Sequence, residues 1–176
     1  YGGSLFFKIV LDKLLSVVFI ILASPILIIS IVLIYFEDGF PLVFTQNRTG
    51  WDGRRFKIYK LRTLKKEKFD KTIQVQDGDK RVLKFGKIIR RYSIDELPQF
   101  LNVLKGDMSI VGPRPLFDDD TQLFNTKYMR RLNVLPGITG LLQINERNTS
   151  EFETWYKYDI EYIENWSLYL DLKIIL

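Results

Sequence analysis

Two adjacent carboxylates, Asp95 and Glu96, follow Arg90-Arg91 and precede a Gly-Pro-Arg-Pro corner, Gly112 to Pro115. A carboxylate can hold Mg²⁺ or attack phosphorus, and the arginine fork matches phosphate oxygens. The grouping therefore suits chemistry at a phosphate. A local reading competes with it. Ser93-Ile94-Asp95-Glu96 fits a capping box, and acidic residues in a first turn suit the helix dipole. Pro98 bears on the choice. With Ser93 as cap it falls deep enough to forfeit a bond to the carbonyl of Ile94. A helix starting at Asp95 or Glu96 keeps Pro98 in the first turn and leaves the dyad at a helix mouth, where phosphates bind. Spacing alone leaves both readings open.

Composition narrows the chemistry. The 176 residues suit one domain and contain neither cysteine nor histidine. Disulfides, thiolate sites and a cysteine nucleophile are excluded, as are the commonest general base and the usual zinc ligand. Any catalysis must use carboxylates, lysine, tyrosine or hydroxyls, and a metal would be a hard, oxygen-bound ion. Charge is uneven: residues 37–91 carry 16 Lys+Arg against 7 Asp+Glu, and residues 92–176 carry 8 against 13. A basic block after an apolar segment points to anionic lipid and phosphorylated substrates, with nucleic acid as the competing partner.

The elements that position these residues begin at the membrane. Leu14 to Phe36 is uncharged, long enough to cross the ~30 Å hydrocarbon core and too long for a cleaved signal peptide. Ser24-Pro25 interrupts its centre, where proline cannot donate to the carbonyl of Ile21. Lys8 and Lys13 precede the segment and Arg48, Arg54 and Arg55 follow it, so neither flank looks external. A helix that enters, bends and returns by the same face meets both facts; a spanning helix with a tolerated proline meets the first.

Beyond it, Pro41–Gln46 reads as a strand, Asn47–Gly53 as a hairpin connection, and Arg55–Leu61 as a strand of period two. Lys65–Lys80 reads as a mobile loop, and Val82–Tyr92 as a helix with a basic face. Leu97, Phe100, Leu101 and Leu104 recur at helical spacing as core. Gly106 ends that helix, and Met108–Val111 is a short buried strand. Pro113 and Pro115 stiffen the backbone around Arg114, which lowers the entropy of holding its guanidinium. Asp118–Leu132 reads as a helix with an acidic start, Pro136–Gly140 as a turn, and Leu141–Ile144 as a strand. Glu151–Asn165 is an amphipathic helix, and Ser167–Leu176 an apolar one suited to the bilayer surface. The chain ends inside that last pattern, as expected of a protein that continues.

The dyad, the GPRP loop and the later PGITG (Pro136 to Gly140) together resemble the bacterial sugar transferase family, the monotopic phosphoglycosyl transferases. The similarity runs over nearly the whole chain and is greatest to small PglC-type members that start N-linked protein glycosylation. The family's Lys-x-Arg-Ser/Thr-Met element is matched by Lys60, Arg62 and Thr63, with Leu64 where methionine is usual. Arg147 matches, although Glu146 stands where glycine is common. The resemblance implies an α/β (α+β) membrane-associated fold, with a re-entrant helix (residues 1–36) kinked at Ser24-Pro25, amphipathic interfacial helices, and a catalytic domain (residues 37–176) at the cytoplasmic face of the inner membrane. It implies transfer of a phosphosugar from a UDP-sugar to undecaprenyl phosphate, with release of UMP. Asp95 would be the nucleophile and a Mg²⁺ ligand, and Glu96 a metal-binding or base partner. Lys60, Arg62, Arg90, Pro113, Arg114, Pro115 and Arg147 would contact substrate, and nucleic acid would not be a partner. Two other classes compete: a membrane-tethered nucleic-acid binder using the basic block, and a non-catalytic assembly subunit whose dyad only caps a helix.

Overall fold

The computed structural model describes residues 2–66, 79–117, 128–146 and 151–176. Helix α1 (Gly2–Asp38) takes up the whole apolar segment and stays helical through Pro25. The carbonyl that the proline orphans, that of Ile21, accepts a hydrogen bond from the Ser24 hydroxyl at 2.8 Å. The Ser-Pro pair thus repairs much of its own defect.

The globular part holds α1 near both ends. Near the start, Lys8 Nζ lies 2.6 Å from Asp171 Oδ2 and 3.4 Å from Asp12, whose carboxylate accepts from the Ser109 hydroxyl at 2.6 Å. Near the far end, Ile34 is fully buried against Leu61, Leu83 and Ile89. Five hydrogen bonds run from the Arg62 guanidinium to the chain around that end: to the Asp38 carboxylate and to the carbonyls of Asp38, Gly39, Pro41 and Leu64. Between the two anchors, Ile21, Leu22, Ile28 and Ile29 turn a broad apolar face outward.

Strands β1 (Val43–Thr49) and β2 (Arg55–Leu61) form an antiparallel hairpin, in register from Val43↔Leu61 to Thr49↔Arg55. Its connection uses the left-handed φ of Asp52 and Gly53. Helix α2 (Lys84–Arg91) follows, and the Glu37 carboxylate of α1 accepts from its first backbone amides, Lys84 and Phe85. A 3₁₀ segment (Ile94–Gln99) leads into α3 (Phe100–Lys105), which Gly106 closes at φ 87°. Phe19 of α1 stacks on Phe100 with ring centroids 5.2 Å apart, and Val103, Met108, Ile110, Val111 and Ile58 form the main core with them.

Strand β3 (Ser109–Val111) is wholly buried and pairs in parallel with β5 (Gly137–Thr139), while β4 (Leu116–Phe117) adds to the free side of β1. Helices α4 (Leu141–Asn145), α5 (Phe152–Glu164) and α6 (Leu168–Ile175) complete the chain. The result is the expected mixture of helix and sheet with a long apolar N-terminal helix.

Three expectations change. Strand β1 runs on through Thr49, so Asn47 to Thr49, expected in the hairpin connection, pair with β2. The strand expected after PGITG lies inside it, and Leu141–Asn145 is helical. The glycines of that motif let its backbone press against β3 and the loop after it, so the motif pairs instead of turning. The supposed helix to Leu132 is a 3₁₀ segment over Tyr128–Asn133; its acidic start, at residues 118–127, lies outside the described residues, as does most of the loop after Lys65.

Candidate active site

The capping box does not form. Ser93 adopts a left-handed backbone, φ 56° and ψ 23°, and makes no side-chain cap bond. That conformation costs a non-glycine residue on the order of 1–2 kcal/mol. It breaks the chain out of α2 and starts the 3₁₀ segment on which the dyad sits. Pro98 lies inside that segment, and α3 begins at Phe100, just beyond the residue that would resist an α-helical turn.

The two carboxylates face different surroundings. Glu96 Oε1 lies 2.7 Å from Lys60 Nζ, which β2 delivers from the adjoining sheet. Asp95 is only 7% exposed. Burial raises its pKa above the ordinary carboxylate range; nearby Lys60 opposes the rise, Glu96 adds to it, and Arg90 opposes it. Lys60 is lowered from its usual value, chiefly by burial and further by Arg114, against the pull of Glu96 and Asp95. Five of the expected site residues, Lys60, Arg90, Asp95, Glu96 and Arg114, thus share one electrostatic cluster.

A shallow cleft opens beside this cluster. It is lined by Arg48, Ile58, Lys60, Glu96, Gln99, Arg114, Pro115, Gly137 and Ile138, while Asp95 lies next to Glu96 in the chain and is not itself part of the lining. The GPRP and PGITG loops therefore meet at one site. Pro113 takes its place through its carbonyl, which accepts from the Gly137 amide at 2.8 Å. Arg90 donates to the Thr63 hydroxyl at 3.1 Å, which ties the end of α2 to the chain just after β2.

Arg62 occupies a different place. At 4% exposure it is committed to the end of α1, which it ties to the globular part of the chain. Arg147 lies outside the described residues. Sequence reasoning missed Arg48, which lines the cleft from β1, and Thr63 as the partner of Arg90. Arg48 sits in a run of turn formers, Asn47 to Gly50, where its only visible signal was charge.

Among the described residues no group of three or more carboxylates could cage a cation. Such a cage is not what Mg²⁺ needs at a diphosphate, since it binds through one or two carboxylates, water and phosphate oxygens. A buried carboxylate beside a second one, both oxygen donors, fits that requirement.

The chain is similar to known proteins over most of its length. Bacillus subtilis EpsL, an uncharacterised sugar transferase, is 44% identical over 168 residues, covering 96% of this chain and 83% of that protein. The Caulobacter vibrioides UDP-glucose:undecaprenyl-phosphate glucose-1-phosphate transferase is 42% identical, covering 96% of this chain and 67% of the relative. Its Klebsiella pneumoniae namesake is 44% identical over 99% of this chain, which spans only 39% of that longer enzyme. A family profile described as bacterial sugar transferase matches residues 3–176, from α1 to the end of α6. With the GPRP and PGITG loops meeting beside one acidic dyad, and the family profile matching nearly the whole chain, this chain belongs to the bacterial sugar transferase family of enzymes.

Proposed function

We propose that the protein transfers a phosphosugar from a UDP-sugar to undecaprenyl phosphate, releasing UMP and leaving an undecaprenyl-diphosphate-sugar. The observation that carries this reading is Asp95: a buried carboxylate whose neighbour in sequence, Glu96, lines a cleft together with Lys60, Arg48 and Arg114. Its burial disfavours the ionised form, which makes the carboxylate more basic and its oxygen a better nucleophile. In the first half-reaction an Asp95 carboxylate oxygen bonds to the β-phosphorus. The bond from that phosphorus to the bridging oxygen breaks, and UMP leaves. In the second, an oxygen of the lipid phosphate attacks the same phosphorus and expels the Asp95 carboxylate.

The chain's own residues hold the charges through both halves. Arg114 and Arg90 attract diphosphate oxygens, and Lys60 balances Glu96 while lying close enough to Asp95 to influence its charge. Glu96, hydrogen-bonded to a lysine of lowered pKa, is placed to take part in metal binding or in deprotonating the lipid phosphate. Asp95, with Glu96 beside it, would hold Mg²⁺, which supplies charge shielding for the diphosphate and the departing UMP.

The α1 helix brings this chemistry to the lipid. Lys8 and Asp12 near one end, and Ile34 and Asp38 at the other, are held by one globular unit. A single unit cannot occupy both sides of a bilayer, which supports a re-entrant α1 whose exposed middle dips into the membrane from the cytoplasmic face. The lipid-linked product serves as the first membrane intermediate of a surface glycoconjugate; protein glycosylation, expected from the resemblance, is one destination for it.

The test is UMP release by detergent-solubilised protein supplied with undecaprenyl phosphate, Mg²⁺ and a pool of UDP-sugars. UMP from the wild type and none from Asp95→Asn is the expected result. Equal release from both removes Asp95 as nucleophile. Duplex binding that collapses with salt, without turnover, would favour the nucleic-acid reading instead.

A further inference from the structure

Three consecutive carbonyls in the GPRP corner each accept a hydrogen bond from a different element. Pro113 O accepts from the Gly137 amide at 2.8 Å, Arg114 O from Arg131 at 3.2 Å, and Pro115 O from Arg48 at 3.3 Å. The prolines fix φ at 113 and 115, but a carbonyl's direction also depends on ψ, which a proline ring leaves free at its own residue. The donors supply what the prolines do not.

The two arginines are themselves fixed. Arg48 lies 3.5 Å from the centroid of the Phe117 ring and donates to Gln46 at 3.1 Å. Arg131 is buried, pairs with Asp159 of α5 at 2.5 Å, and reaches toward the Phe152 ring. Such anchoring restricts a long side chain before it grips anything. Arg48 comes from β1 and Arg131 from the 3₁₀ segment at Tyr128–Asn133, so separate parts of the chain meet at consecutive peptide units.

We infer that Arg48 and Arg131 are positioning residues: they clamp the Arg114 and Pro115 carbonyls and thereby aim the Arg114 guanidinium at the substrate diphosphate. This rests on the transferase reading above. Misplacing a charged group by about an ångström at a reacting phosphate costs up to about 100-fold in rate. The Arg114 side chain itself would remain in the variants, only misdirected.

A double-mutant cycle separates aiming from general support. Arg48→Met keeps an unbranched stem of similar length and removes the donors. It is expected to lower kcat/KM for UMP release about 10- to 100-fold, mostly in kcat. In an Arg114→Ala background the same change is expected to cost less than about twofold, because nothing remains to be aimed. Arg131→Met, made together with Asp159→Asn so that no buried carboxylate loses its counter-charge, removes the donor to Arg114 O and is expected to show the same non-additivity. Hydrogen exchange supplies a readout independent of turnover: Arg48→Met should speed exchange at Leu116 and Phe117 and leave β2 unchanged. Equal losses in both backgrounds, or unchanged exchange in the corner, would overturn the clamp while leaving the transferase intact. A wild type that releases no UMP would overturn the transferase reading and this role together.

Discussion

Gly112 and Gly137 meet backbone against backbone: a Cβ on Gly137 would lie 2.1 Å from the Gly112 nitrogen, and one on Gly112 would lie 2.5 Å from the Leu135 carbonyl oxygen. Each contact is with main chain, which cannot rotate away. Gly137→Ala must therefore push β5 off the GPRP loop. A loss of at least about 3 kcal/mol is expected, at the upper end of overpacking costs, with turnover lost as the cleft opens. Urea unfolding in detergent measures the first and UMP release the second. A stable, active Gly137→Ala protein would show that the two loops are not interlocked.

Lys60 and Glu96 make a pair whose members depend unequally on each other. Removing the anion leaves a nearly buried ammonium beside Arg114. Glu96→Gln is expected to lose about 1–3 kcal/mol of stability. Adding Lys60→Met should restore part of it, since the stranded charge is gone, yet restore no turnover. If stability stays low in the double variant, the pair is not the source of the loss.

Asp95 opposes stability and serves function. Burial raises its pKa, so the fold favours the protonated form. That contribution is complete below the ordinary carboxylate pKa and is lost as pH rises through the folded value. At pH 7 the ionised group is a net cost. Asp95→Asn is expected to leave the melting temperature unchanged or raised while abolishing UMP release. A variant both inactive and destabilised would assign Asp95 a packing role.

A similar argument gives a pH window at Asp159. Burial pushes its pKa up to about 6 against the pull of Arg131. Between about pH 4 and 6 the unfolded chain has released this proton and the folded chain has not, so stability attributable to Asp159 falls as pH rises through that interval. Asp159→Asn should flatten the difference. The quantity to measure is the wild-type minus variant unfolding free energy at pH 4, 5, 6 and 7, because Asp95 contributes a slope of the same sign to both. A difference that does not change with pH would mean that Arg131 holds Asp159 ionised throughout.

Local patterns were legible where one face or one period decided the outcome. The alternation of Arg55–Leu61, the basic face of α2 and the stop at Gly106 all follow from short-range chemistry. The dyad stands out by its place after Arg90-Arg91 and before the GPRP corner, and the absence of histidine and cysteine adds to it. Contacts between distant segments were not visible. Nothing local distinguishes Arg62, tied to α1, from Lys60, which faces the cleft two residues earlier. Glycine and proline usually mark turns; in PGITG they permit close approach of two backbones, which only the tertiary pairing with β3 shows.

The topology of α1 can be decided with reagents the sequence makes convenient. The chain has no cysteine, so each introduced thiol reports alone. Ser4 lies at the start of α1 and Lys66 in the catalytic domain, and both side chains are exposed. The apolar stretch between them is long enough to cross the bilayer if nothing restrained it. The pairing of Lys8 with Asp171 and of Arg62 with Asp38 restrains both ends against the same body. Ser4→Cys and Lys66→Cys are therefore expected to react with a membrane-impermeant maleimide from the same side, in inverted vesicles and not in intact cells. Labelling of Ser4→Cys from outside and Lys66→Cys from inside would mean a spanning helix, and the Lys8–Asp171 contact would then have to break in the membrane. Lys8→Ala in the Ser4→Cys background tests whether that contact carries the restraint, because loss of same-side labelling would assign the topology to the pair and not to Ser24-Pro25.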